Sequence, residues 1–295
     1  MDTLSERLRG GNVMICDGAW GTEFFRRGLM PGCPPDEWNL THPEIVKDIV
    51  NDYLQAGAQV ILTNTFGANR FRLEPHGLSP KVAEINSRAA SLAREVVGDG
   101  ALVAGDIGPT ARFLALGETS AEELSQVFSE QARSLAAGGV DLIVIESMTD
   151  AEEMAIAVSA AVRETNLPVV ASMTYNRTPR GYRTMMGDSP ETCVKKAEQA
   201  GAAVIGANCG SGIEDYVPLA PILRGLTSLP LWVKANAGVP QIVNGRVTYP
   251  LTAEQYASYV PALVAAGVNV IGGCCGTDPS FIRQVGKAIA GTRER

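Results

Sequence analysis

Histidine is nearly absent from this 295-residue chain, which has only His42 and His76. His42 lies inside a helix-start pattern, Thr41-His42-Pro43-Glu44, and His76 in the turn Glu74-Pro75-His76-Gly77. Both read as surface or capping residues, and neither is needed as a metal ligand. No apolar run approaches the roughly 20 residues that span a bilayer, and the stretch Met1 to Arg7 has no basic start leading into an apolar core. A cytoplasmic protein that does not enter a membrane is therefore expected. Lysine and arginine nowhere cluster, and a net charge of −7 provides no electrostatic footprint for nucleic acid. Small molecules or a protein partner are the ligands to expect. A glycine-rich phosphate turn is missing as well. The first apolar run leads into Asp17-Gly18-Ala19-Trp20-Gly21-Thr22, which does not match the dinucleotide fingerprint and argues against a doubly wound open sheet.

What is abundant is glycine, 31 residues, within a chain that is 45% hydrophobic, as in a soluble α/β enzyme with many tight turns. One pattern recurs. Ala56-Gly57-Ala58, Ala137-Gly138-Gly139, Ala200-Gly201-Ala202 and Ala266-Gly267-Val268 each precede a β-branched run, as when a helix ends at a glycine and a buried strand begins at once. With the remaining apolar runs this predicts eight strands, ending near Asp17, Asn64, Asp106, Glu146, Thr174, Asn208, Asn236 and Gly273. Helix starts fall between them. Thr41, Ser120, Asp150 and Thr252 each offer a capping oxygen with Glu or Gln three residues on, and Ser189-Pro190 and Asp278-Pro279 put proline at a first helical position. Eight βα units predict a single α/β domain over 1–295, a (β/α)8 TIM barrel.

In such barrels the chemistry sits at the C-terminal strand ends, where this chain keeps its polar residues. Cys209 follows the sixth strand, and the vicinal pair Cys274-Cys275 follows the eighth. Cys209 lies too far upstream of the pair for a local zinc knuckle, so the fold must assemble the site. Three converging thiolates hold zinc and leave its fourth position free, which is the layout of a catalytic metal. Successive strand residues point to opposite faces, so Cys274 and Cys275 both reach one ion only if the backbone turns; Gly272, Gly273 and Gly276 allow it. Cys16 and Cys193 read as core residues.

Asp17-Gly18-Ala19-Trp20-Gly21-Thr22, Asn39-Leu40-Thr41-His42-Pro43-Glu44, Thr63 to Asn69, Gly206-Ala207-Asn208-Cys209-Gly210 and Gly272-Gly273-Cys274-Cys275-Gly276-Thr277 together resemble the homocysteine S-methyltransferase family. The likeness runs from about residue 10 to 290 and is nearest to the homocysteine-binding barrel of cobalamin-dependent methionine synthase. It implies a zinc enzyme that methylates L-homocysteine to methionine, with the family's three zinc cysteines falling on Cys209, Cys274 and Cys275. It also implies that Asp17 and Glu146 hold the substrate ammonium. Thr65 and the peptide N–H groups around Gly18 and Thr65 are candidates for its carboxylate, because backbone donors at strand-to-helix turns bind anions. Asn208 and Asn236 are placed to orient ligands beside the zinc loop. Asp106 reads equally as a structural residue or a substrate contact. The segment 178–187 is an ordinary βα loop or a mobile lid.

The methyl donor is the open point. Only one helix, about 279–290, follows Cys275, whereas the related synthase carries folate, cobalamin and activation modules after its barrel. A methylcobalamin-bearing corrinoid protein arriving separately is the expected partner, or the chain is a fragment of a larger enzyme. A small onium donor such as betaine or S-methylmethionine is the alternative, with Trp20, Trp38 and Tyr175 as an aromatic surround. Two readings from other classes remain: a structural zinc module with a fourth protein ligand, and redox use of the vicinal thiols.

Overall fold

The apolar runs become eight parallel strands. A computed structural model describes residues 4–8, 11–243 and 246–293. In chain order the strands are β1 (Met14–Ile15), β2 (Val60–Leu62), β3 (Leu102–Ile107), β4 (Leu142–Met148), β5 (Val169–Met173), β6 (Val204–Gly212), β7 (Leu231–Asn236) and β8 (Val268–Gly273). Strands β2 to β8 pair in sequence order, β1 pairs with β8, and a parallel bridge between Cys16 and Val60 closes the remaining seam. The long helices Pro43–Gln55, Val82–Val97, Ala121–Ala137, Ala151–Thr165, Pro190–Ala200, Ile213–Leu226 and Pro279–Arg293 lie between and after the strands. The architecture is the expected (β/α)8 barrel. No helix among the described residues is long and apolar enough to cross a membrane.

Strand periodicity sets two cores. One side of each strand, including Met14, Leu62, Ala104, Val144, Val170 and Trp232, fills the barrel interior. The alternate residues, such as Ile61, Val103, Ile143 and Val233, pack outward beneath the helices. Two steps further along the inward side stand Asp106, Glu146, Ser172 and Lys234, all buried. An apolar plug is thus crowned by a polar layer below the C-terminal mouth.

The recurring glycines do what their spacing predicts. Gly57, Gly139, Gly201 and Gly267 have φ of 98°, 91°, 95° and 83°, the left-handed region that ends a helix. Gly57 has open space where a side chain would sit. Gly57→Ala therefore isolates the backbone cost, and a loss of about 1–2 kcal/mol is expected in urea denaturation. Ser120 and Thr252 form capping boxes, while Asp150 and Ser189 accept from N–H groups of their first turns. Thr41 does not cap. It ends the short helix Trp38–Thr41, its hydroxyl donates to Glu37 O, and the next helix starts at Pro43 without a side-chain cap.

Strand ends differ from the sequence reading by two residues or more in four places, one of them β4, which runs past Glu146 to Met148. Strand β1 stops before Asp17, and β2 stops before Asn64 because the Thr65 N–H turns back onto Thr63 O (2.9 Å). Strand β6 runs past Asn208 to Gly212 through an irregularity at Cys209 and Gly210, whose φ values are 60° and 61°. The segment 178–187 lies largely in a hairpin, Asn176–Thr178 with Gly181–Arg183, pinned by Tyr182 Oη donating to Asp215 O (2.9 Å).

Candidate active site

Strand β7 lies between β6 and β8 and fastens the cysteine loops of both. The Cys274 N–H donates to Ala235 O (2.7 Å), and the Ala237 N–H to Cys275 O (3.0 Å). Asn236 Nδ2 donates to Gly210 O (2.9 Å), and Tyr216 Oη to Cys209 O (2.8 Å). The second bond steadies Cys209 in a left-handed backbone conformation that costs a non-glycine residue about 1–2 kcal/mol. On the other loop, Thr277 Oγ1 donates to Cys274 O (2.7 Å). Gly276 turns the chain at φ 82°, where any β-carbon would strike the Tyr249 ring.

These bends bring the three sulfurs within 4.8 Å of one another, with Cys209 and Cys275 Sγ 4.0 Å apart. Tetrahedral zinc with Zn–S bonds of about 2.3 Å requires ligand sulfurs roughly 3.8 Å apart, so the donor set fits. No fourth His, Cys or carboxylate oxygen joins the group among the described residues. All six cysteines are free thiols. A hydrogen bond with Cys274 lowers the Cys209 thiol, but Cys275 and burial outweigh it and push it up to about 11. The bond with Cys209 likewise lowers Cys275, yet Cys274 and burial raise it to about 12. Cys274 is held well above the usual thiol range by its hydrogen bond with Cys209 and by burial. All three thiols thus stand above the ordinary range, and a bound cation would favour their thiolate forms.

Asn208 ties this cluster to the polar layer. Its Oδ1 accepts from the Ser147 N–H (2.8 Å) and Ser172 Oγ (2.7 Å), while Nδ2 donates to Ser147 Oγ (2.7 Å) and lies 3.9 Å from Cys274 Sγ. Its side chain is therefore fixed, with one donor aimed at a candidate metal ligand. Beside it the carboxylates of Asp17, Asp106 and Glu146 are all buried. Lys234 lies among them, its Nζ 3.0 Å from Asp17 and 3.7 Å from Glu146. Burial would lower the Lys234 ammonium, but Asp17 and Glu146 outweigh it and hold it charged. The sequence reading passed over Lys234, although its signal was present: in Trp232-Val233-Lys234-Ala235-Asn236 it alternates with the outward residues of a buried strand.

The other expected residues have these surroundings. Thr65 is fully buried, its N–H bonded to Thr63 O and its hydroxyl donating to Asp106 O (2.6 Å), so neither donor is left over for a ligand carboxylate. Gly18 is wedged where a β-carbon would come within 2.9 Å of Thr277 and Tyr53. Phe24 lies between the two indoles, tilted against Trp20 at a ring-centroid distance of 5.8 Å and edge-on to Trp38 at 5.5 Å, and Tyr175 is buried. His42 stacks on Trp38 at 4.6 Å, away from the thiols' ligand set.

A (β/α)8 barrel whose C-terminal mouth gathers three thiols beside buried carboxylates defines a class of barrel protein with a sulfur-rich candidate metal centre. More narrowly, the chain belongs to the homocysteine S-methyltransferase family, whose model matches residues 14–289. It is 28% identical to the methionine synthase of Mycobacterium tuberculosis over 309 aligned positions, covering 98% of this chain and 25% of that protein. The Mycobacterium leprae methionine synthase matches to the same extent, so the chain spans about a quarter of the length of these curated relatives. In fold it resembles the metallated homocysteine methyltransferase of Escherichia coli, with a TM-score of 0.80 at 24% identity over 94% of this chain and 98% of that one. A methyltransferase from Methanosarcina mazei superposes with a TM-score of 0.65 at 12% identity, covering 99% and 100% of the two chains.

Proposed function

We propose that this chain, acting as one barrel domain, transfers a methyl group to the thiol of L-homocysteine to form methionine, with zinc held by Cys209, Cys274 and Cys275. The observation that carries the reading is the convergence of three sulfurs within 4.8 Å with no fourth protein donor among the described residues. Zinc bound there would supply a Lewis acid that keeps a substrate thiol deprotonated and nucleophilic near neutral pH. The chain's own residues hold the geometry. Asn236 and Tyr216 fix the backbone around Cys209, and Asn208 orients Cys274. The buried carboxylates favour a substrate that carries an ammonium. A structural zinc clamp is disfavoured by the three-donor set, since a closed site takes four protein ligands.

For the donor we infer a methyl-corrinoid on a separate protein or module. The likeness to two methionine synthases supports it. For small onium donors the support is thinner, because Trp20 and Trp38 are each occupied in packing against Phe24. Zinc-loaded protein would be given homocysteine with methyl-labelled methylcobalamin, both free and carried on a corrinoid protein, with betaine or with S-methylmethionine in turn. Labelled methionine is expected from methylcobalamin alone. Transfer from an onium compound would overturn the donor assignment, and methionine from none of the three would overturn the function.

A further inference from the structure

The two strands that pair with β6, β5 and β7, each lead into a β-hairpin at the C-terminal mouth. After β5 comes Asn176–Thr178 with Gly181–Arg183, and after β7 comes Gln241–Val243 with Arg246–Thr248. Each hairpin segment rests against one cysteine loop. A β-carbon on Gly210, next to Cys209, would meet Tyr175 O at 2.7 Å and Asn176 Oδ1 at 3.7 Å, and one on Gly276, next to Cys275, would strike the Tyr249 ring. A molecule seated on the hairpins therefore sits beside the three sulfurs.

These segments are unusually apolar for surface. Six of the ten exposed large apolar side chains among the described residues lie on them: Met185, Met186, Val239, Ile242, Val243 and Val247. Ile242 and Val247 stand directly opposite each other across the second hairpin and are 81% and 63% exposed. Single exposed apolar residues are ordinary, but a group of them beside a site marks a place that another surface covers. A two-stranded hairpin is also marginal in water by itself, so such cover would steady it.

Charge gives the chemistry of that surface. In a chain of net charge −7, residues 176–187 hold Arg177, Arg180 and Arg183 and no acid, and residues 237–250 hold no acid either. The three-residue spacing looks dispersed in the sequence, yet one hairpin segment carries all three arginines. None of them forms an ion pair among the described residues. Arg183 donates to Tyr182 O (2.6 Å), which leaves Arg177 and Arg180, both exposed, as the freely presented charges. The acids Asp17, Asp106 and Glu146 belong to the ends of β1, β3 and β4, so the mouth is divided between an acidic side and a basic, apolar one.

Resting on the functional reading above, we propose that the hairpins after β5 and β7 are the docking surface for the methyl-carrying protein, recognised by an acidic face with an apolar centre. Arg177 and Arg180 steer and orient that face, while Met185, Met186, Ile242 and Val247 supply the apolar contact.

The test compares methyl transfer by zinc-loaded protein from free methylcobalamin and from methylcobalamin carried on an acidic corrinoid protein, with calorimetric binding of the same carrier. Arg177→Glu with Arg180→Glu is expected to weaken carrier binding and to lower kcat/KM for the carrier by at least about 10-fold, with a flatter salt dependence. Transfer from free methylcobalamin should be unchanged. Arg177→Lys with Arg180→Lys, which keeps the charge, should retain most of the carrier reaction, and Ile242→Ser with Val247→Ser should weaken the carrier reaction alone. Unchanged carrier binding in the glutamate variant overturns the proposal, as does an equal loss with free methylcobalamin, which would make the hairpin a support of the site. Tighter binding of a DNA duplex than of the carrier also overturns it, as does wild-type protein that uses free methylcobalamin but does not bind the carrier. Methionine from neither form of methylcobalamin overturns the functional reading itself.

Discussion

Cys274→Ser is expected to reduce bound zinc from one per chain to almost none and to lower methyl transfer by more than about 100-fold. The magnitude follows from a lower bound. Altering a group that merely orients a metal ligand costs about 10–100-fold, and Cys274 is itself a proposed ligand. The barrel should remain folded, because the sulfurs lie above the apolar plug rather than within it, and Cys274 is only partly buried. Metal analysis, circular dichroism and turnover on the same sample check all three parts. Cys209→Ser and Cys275→Ser should behave alike, since the three sulfurs form one mutual cluster. Full turnover by any of the three would contradict the assignment.

Lys234→Met is expected to produce the largest loss of stability from a single substitution at the site, about 3–5 kcal/mol. Methionine fills much the same volume, so packing changes little. The damage comes from Asp17, which is 0% exposed and loses its counterion. An uncompensated buried charge is far more destabilising than the absence of both partners. The double variant Lys234→Met with Asp17→Asn should therefore recover most of the loss, and a urea-denaturation double-mutant cycle would return a large coupling energy. Simple additivity would mean that the pair is not the reason for the burial of either residue. Because removing both partners is often nearly neutral, the ion pair by itself is weak evidence of net stability.

How far the sequence foretold these arrangements depended on the range of the interactions involved. The Ala-Gly repeats announced helix ends and strand starts because a left-handed glycine acts within a few residues, and the four φ values at Gly57, Gly139, Gly201 and Gly267 agree. The capping boxes at Ser120 and Thr252 are equally local. Cys209, Cys274 and Cys275 were legible as a trio because glycine-flanked thiols at strand ends have few other uses, and the fold brings their sulfurs together. The contacts of the buried acids were not legible. Lys234 meets Asp17 across 217 residues of chain, and Thr65 meets the Asp106 carbonyl across 41, so no local pattern marks either contact. Thr41 failed as a cap for a nearer reason: it is itself the last residue of a helical turn, so that His42 and not Thr41 stands before the helix that begins at Pro43.

The central claim is that three cysteines hold a metal with one position free for the substrate's sulfur. X-ray absorption of the reduced, zinc-loaded protein, with and without L-homocysteine, tests it most directly. The expected result is one zinc whose sulfur count rises from three to four when homocysteine is added. A zinc environment that homocysteine leaves unchanged, already closed by four ligands from the protein, would contradict it.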